Sequence, residues 1–183
     1  LRTEGNNAGG FAGVISNQSQ IMECFSTGNV SGNERIGAFA GSVKENINAT
    51  DAAIENSYSI GNVVATGDES GGFVGKVFES ILRSVYSHSY ALYPVDETNS
   101  KETASFINTI ADDGGQSKIE GSYTVGYGQK SDISIPSANT KEITELSMSQ
   151  FQDPANFPQL NFSSVWIVDP NVGRPVLTNN PES

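Results

Sequence analysis

The sequence predicts an all-β fold, a right-handed β-helix-like solenoid of about four rungs with a short helix and a C-terminal capping segment. Three observations predict it. The 183 residues are 36 % hydrophobic and 17 % charged with 19 glycines, a turn-rich balance that helical bundles lack. A Phe-small-Gly phrase recurs as GGFAGVI at 9–15, GAFAGSV at 37–43 and GGFVGKV at 71–77. A second phrase alternates with it, as IMECFSTGNV at 21–30, IENSYSIGNV at 54–63, LRSVYSHSYA at 82–91 and IEGSYTVGYG at 119–128. Glycine forms strands poorly, so a Gly-rich phrase repeated at this interval points to architecture.

With Phe as marker, Phe11, Phe39, Phe73 and a degenerate copy at Phe106 stand 28, 34 and 33 residues apart, the period of stacked repeats. Strand alternation puts residues i, i+2 and i+4 on one face. That face then carries Phe11, Gly13 and Ile15, then Phe39, Gly41 and Val43, then Phe73, Gly75 and Val77. In a stack the glycine leaves room for a ring or for backbone from another side of the coil. In the second phrase an aliphatic residue stands four before an aromatic, pairing Ile21 with Phe25, Ile54 with Tyr58, Leu82 with Tyr86 and Ile119 with Tyr123. These aromatic slots read as packing positions.

The turns repeat as well. Gly5-Asn6-Asn7, Gly32-Asn33-Glu34 and Gly67-Asp68-Glu69 each lead into the first phrase, and Gly28-Asn29-Val30 matches Gly61-Asn62-Val63. Stacked Asn29 and Asn62 are expected to form a side-chain amide ladder. From residue 141 the pattern changes, dividing the chain into repeats at 1–140 and a cap at 141–183. Within the cap, Thr144 as N-cap and Asp153-Pro154 as stop predict a short amphipathic helix presenting Leu146, Met148 and Phe151. The end reads as two strands around the Asp169-Pro170-Asn171 turn, anchored by Trp166, which would cover the open end of the stack.

The two phrases together resemble the GLUG repeat, found in arrays in large bacterial surface and secreted proteins, adhesin-like proteins and regions upstream of immunoglobulin A-cleaving metallopeptidases among them. The tail is similar to the segment closing such arrays, with Phe162, Trp166, Pro175 and Leu177 in its Phe-x-x-x-Trp and Pro-x-Leu places. The resemblance spans roughly residues 9–178. It implies a non-catalytic structural or adhesive module of an extracellular or cell-surface protein. Neighbouring repeats of a longer parent chain, and a host or matrix protein or glycan, are the implied partners. The third copy departs at Ser89-Tyr90-Ala91 and the fourth at Ala104-Ser105-Phe106-Ile107-Asn108, so the insertion between 88 and 118 is the first place to expect a special surface.

Charge and motifs bound the alternatives. A net charge of −11 repels nucleic acid and anionic membrane, and no run of residues approaches a membrane span. The chain opens in a turn without Met, so an export signal outside these residues is expected. Cys24 is the only cysteine and His88 the only histidine, and both fill repeat slots, Cys24 with Ser57, Val85 and Ser122, His88 with Thr27, Ile60 and Val125. No His-Glu-x-x-His zinc motif occurs, and neither catalytic nor metal-ligating residues are assigned. A carbohydrate-active β-helix enzyme is the first alternative, for which Asp112-Asp113 and Asp68-Glu69 are the dense acidic pairs. A filament subunit pairing through residues 5–15 is the second. No cofactor is expected, calcium at the stacked Gly-Asn/Asp turns being the exception weighed. Sequons stand at Asn17, Asn29, Asn48 and Asn161, and with Asn29 assigned to its turn, Asn17, Asn48 and Asn161 are the glycosylation candidates. Tyr90, Tyr93 and Tyr127 form the candidate ligand surface.

Overall fold

A computed structural model describes residues 1, 5–45, 52–89, 91–92, 104–111, 117–125, 132–134 and 140–180. The described residues are nearly all strand and turn. The first circuit of the chain runs through β1 (Ala8–Gly9), β2 (Ala12–Ile15), β3 (Ile21–Met22), β4 (Phe25–Ser26) and β5 (Val30–Gly32). The second repeats it as β6 (Ile36–Gly37), β7 (Ala40–Lys44), β8 (Ile54–Glu55), β9 (Tyr58–Ile60) and β10 (Val63–Ala65). The third comprises β11 (Ser70–Gly71), β12 (Val74–Phe78), β13 (Ile81–Arg83), β14 (Tyr86–His88) and β15 (Ala91–Leu92). A bridge from Ala104 to Gly71 opens the fourth, which continues through β16 (Ile107–Ile110) and β17 (Lys118–Val125). Then come β18 (Asp132–Ser134), β19 (Thr140–Leu146), two single 3₁₀ turns at Gln150–Gln152 and Pro154–Asn156, and a hairpin of β20 (Trp166–Asp169) and β21 (Arg174–Leu177).

Every circuit lies in parallel register on the one before it. Ala8, Ile36 and Ser70 align in one sheet, and Val30, Val63 and Ala91 in a second. A third sheet aligns Ala12, Ala40, Val74 and Ile107. The second phrase stacks as its spacing requires, with Ile21, Ile54, Leu82 and Ile119 in one column and Phe25, Tyr58, Tyr86 and Tyr123 in the next. The stack also continues past the four copies legible in sequence, since β18 pairs with β16 and β19 with β17, both parallel.

Corners are made by residues in the left-handed region, which re-aim a strand at the cost of local strain. Asn7, Arg35 and Glu69 (φ 61°, 54°, 61°) form one column of corners, and Glu23, Asn56, Ser84 and Gly121 (φ 51°, 47°, 52°, 53°) another. The second column lies between the aliphatic and the aromatic of each second phrase, so simple alternation fails there. Ile54, Leu82 and Ile119 enter a core shared with Phe39, Phe73, Phe106 and Val77. Tyr58, Tyr86 and Tyr123 belong to a different cluster, with Phe151, Phe157 and Trp166. The residues just after the tyrosines, Ser59 and Thr124, bond instead to the Gly72 and Ser105 carbonyls across the coil.

A second break in alternation revises the first phrase. The Phe39 and Ala40 amides both donate to the Phe73 carbonyl (3.0 and 3.2 Å), and the Phe73 and Val74 amides both donate to Phe106 (2.8 and 3.1 Å). One acceptor serving two donors gains a residue, so Phe and the residue after it both face the core. Phe39 with Val43 and Phe73 with Val77 do share that core, whereas Phe11 is exposed and the glycine of each phrase does not enter it. A Cβ on Gly41 would lie 2.6 Å from the Arg35 carbonyl oxygen and 2.7 Å from the backbone of Asn7 and Ala8. The column Gly13, Gly41, Gly75 is therefore where the corner turns press backbone onto backbone.

The C-terminal segment departs from expectation in two ways. No helix begins at Thr144, because residues 140–146 lie along the free edge of β17 and take its ladder bonds, which propensity alone cannot outweigh. Leu146 and Phe151 are buried as expected of them, whereas Met148 is exposed. The closing segment also lies along the side of the stack. The Trp166 ring packs on Tyr58 and Tyr86, its indole N–H donates to Asn56 Oδ1 (3.4 Å), and the Asn180 amide reaches the Glu23 carbonyl (3.4 Å). Aromatic rings projecting outward from successive circuits are the largest apolar surface available, and this strap buries them.

Candidate functional site

Among the described residues, two surfaces outside the cores combine exposed repeat positions with unspent bonding capacity. The first is the edge of the opening circuit. Phe11 stacks on Phe39 (centroids 4.9 Å apart, planes 7° apart) and the half-buried Phe25 on Tyr58 (5.2 Å, 9°). Phe11 is 44 % exposed where the equivalent Phe39 and Phe73 are fully buried. The Leu1 amine donates to the Asn29 carbonyl (2.8 Å) and the Leu1 carbonyl accepts from Ser31 N–H (2.9 Å). These bonds flank Val30, so Leu1 sits on Val30 as Val30 sits on Val63.

The second surface is a groove of about 240 Å³ on the outer side of β2, β7 and β12, lined by Asn7, Val14, Arg35, Ser42, Lys44 and Lys76, among others. Glu69 lies beside it, accepting Arg35 Nε at one oxygen (2.7 Å) and Lys76 Nζ at the other (2.6 Å). Burial opposes ionisation of Glu69, but the hydrogen bonds and charges of Lys76 and Arg35 outweigh it and hold the carboxyl below the usual glutamate range. With both oxygens committed to cations, Glu69 is placed as a structural anion.

The repeated turns do stack on one edge, through Asn33 N–H on the Gly5 carbonyl and Gly67 N–H on the Asn33 carbonyl. Their side-chain oxygens are occupied by one another's donors, Asn6 Oδ1 by Asn33 Nδ2 (3.3 Å) and Asn33 Oδ1 by Thr66 Oγ1 (3.2 Å). Among the described residues no group of three or more His, Cys, Asp or Glu converges as metal ligands. The amide ladder expected of Asn29 and Asn62 is replaced by a bond from Asn62 N–H to Asn29 Oδ1 (2.8 Å), the side chain capping the backbone of the next circuit.

Cys24 and His88 occupy their repeat slots. The Cys24 amide donates to Ser57 Oγ (3.1 Å) and its thiol donates to the Met22 carbonyl (3.2 Å), while His88 aligns with Ile60 and meets Phe151 edge to face. Burial, and then the Glu23 charge, push the Cys24 thiol up, away from the reactive thiolate. Asn17 is exposed in a turn, and Asn161 is exposed with its Oδ1 accepting from Ser163 N–H. Asn48, Tyr90, Tyr93, Tyr127 and Asp112-Asp113 lie outside the described residues. Sequence reasoning missed the groove. Its signal was the position six residues before Gly13, Gly41 and Gly75, where Asn7, Arg35 and Glu69 vary in chemistry and so escape a repeat search.

Fold and edge together define a parallel-β repeat protein, one circuit laid on the next. Comparison with family models, curated proteins and solved structures gives no match.

Proposed function

We propose that the chain is a non-catalytic structural and adhesive repeat module of an extracellular or cell-surface protein, a right-handed β-helix of the GLUG type continued by neighbouring repeats. The edge of the first circuit carries this reading: Leu1 lies in register on Val30, and Phe11 stacks on Phe39 yet is 44 % exposed. The right hand is supported by the crossovers, since connections between parallel strands take it in about 98 % of cases. The acidic charge of −11 suits a surface that stays dispersed in solution.

Leu1 occupying the slot of Val63 supplies the test. A chain with a second copy of residues 33–62 placed directly ahead of Leu1 adds one circuit in phase. Urea unfolding is then expected to show a steeper denaturant dependence and a later midpoint, because the added circuit buries the exposed Phe11 face. An unchanged transition, with the added amides exchanging as in an unfolded chain, refutes the reading. If instead the unmodified chain sediments as concentration-dependent oligomers that the added circuit abolishes, the edge joins separate molecules, as in a filament.

A further inference from the structure

We propose that the groove over β2, β7 and β12 binds the carboxylate of a uronic-acid residue in an acidic saccharide, which gives the adhesive reading above a ligand class. The charge count comes first. The chain holds 10 Lys and Arg against 21 Asp and Glu, yet three of those cations, Arg35, Lys44 and Lys76, line this one groove. Glu69 neutralises one of them, and Glu45, 3.7 Å from Lys44, offsets a second. One positive charge remains, which matches a carboxylate and falls short of a phosphate dianion.

Unspent donors set the geometry. Glu69 engages only Nε of Arg35 and one proton of Lys76, leaving the guanidinium's outer N–H groups and the remaining ammonium protons for an anion. Glu69 also fixes both cations in place, so little side-chain entropy is lost when the anion arrives. Beside them Ser42 Oγ donates to Asn7 Oδ1 (2.5 Å), which leaves the Asn7 amide as donor and the Ser42 oxygen as acceptor for a hydroxyl group. Val14, 44 % exposed, and the half-buried Phe78 supply an apolar floor for the C–H face of a ring. A volume of about 240 Å³ holds a single sugar ring and lies below the roughly 300 Å³ at which drug-sized pockets begin. In register along the sheet, Val14, Ser42, Lys76 and Thr109 continue the same face, so a chain of such rings has room to run across the circuits.

The test titrates the intact chain by calorimetry with trigalacturonate, galactotriose and hexaglutamate, repeated with trimers of mannuronate and glucuronate. Saturable binding of at least one uronate trimer is expected, roughly tenfold or more tighter than galactotriose and weakened by about the same factor in Lys44→Glu. Lys44 is exposed and its one ion pair is with its neighbour, so this variant keeps the fold, as circular dichroism checks. Ser42→Ala is expected to weaken the uronate trimers and to leave any hexaglutamate binding unmoved. The proposal is overturned if no uronate trimer binds at millimolar concentration, if Lys44→Glu binds as well as the parent, or if hexaglutamate matches the uronates. None of those outcomes bears on the added-circuit experiment, which reads a different edge.

Discussion

Three chemically identical substitutions, Gly75→Ala, Gly13→Ala and Gly28→Ala, are expected to differ in sign, and the stack dictates the order. A Cβ on Gly75 would overlap the Glu69 carbonyl and lie 2.7 Å from both Arg35 C and the Gly41 carbonyl oxygen, backbone on every side. Nothing there is a flexible side-chain end, so a corner or a strand must move. Overpacking a core costs roughly 1–3 kcal/mol, and a site walled by main chain belongs at or beyond the top of that range. Gly13 occupies the same column in the outermost circuit, where a Cβ would meet only the Asn7 carbonyl, its oxygen at 2.7 Å. One carbonyl has to give there instead of three backbone groups, so about 1 kcal/mol is expected. At Gly28 a Cβ would find no atom within 4 Å and φ is not left-handed, so Ala restricts only the unfolded chain and stabilises by about 0.4–1 kcal/mol. Urea unfolding followed by far-ultraviolet circular dichroism, with the denaturant slope fitted for each variant, measures all three. Equal midpoints for Gly75→Ala and Gly28→Ala would refute the claim that the phrase exists to let backbones approach.

Three further outcomes are expected. Stability carried by Glu69 is present above the unfolded glutamate value of 4.5 and is lost as pH falls through the lower folded value; Glu69→Gln, unfolded in urea across that range, should flatten the acid limb. Cys24 should alkylate with iodoacetamide more slowly in the folded chain than in urea at the same pH, because burial raises its thiol; equal rates would contradict that burial. Tyr86→Phe removes the hydroxyl that donates to the Pro175 carbonyl and leaves that buried acceptor unmet, at a cost of about 1–3 kcal/mol by the same urea assay.

The columns of the stack were legible in sequence because parallel register preserves spacing: Ile21, Ile54, Leu82 and Ile119 align as their four-residue offset to an aromatic requires. What the offset concealed was direction. A left-handed residue at Glu23, Asn56 or Ser84 carries no glycine signature, yet it turns the aromatic to the far side of the sheet. The corner types Asn, Arg, Glu and Ser pay for that conformation through the ladder bonds on either side, a tertiary cause that local propensity does not record. The same reasoning applies to residues 140–146. Their Thr, Glu and Leu are compatible with a helix, and only the unpaired edge of β17 decides for a strand.

The direction of the tyrosines then explains where the closing segment lies. A strap that ended the stack would have to match the backbone edge of one circuit. A strap that covers a side has to match only a column of rings, and the rings are repeated by construction. Trp166 touches two circuits at once, Tyr58 in the second and Tyr86 in the third, while Gln159 bonds Tyr123 in the fourth and Asn180 reaches Glu23 in the first. Sliding or splaying any one circuit therefore strains contacts on the others, which makes the circuits cooperative beyond nearest-neighbour stacking. Because the strap runs along the stack, it covers the tyrosine column, Phe11 keeps its 44 % exposure, and the groove over β2, β7 and β12 is left clear of it. Lateral bracing thus couples four circuits through one segment.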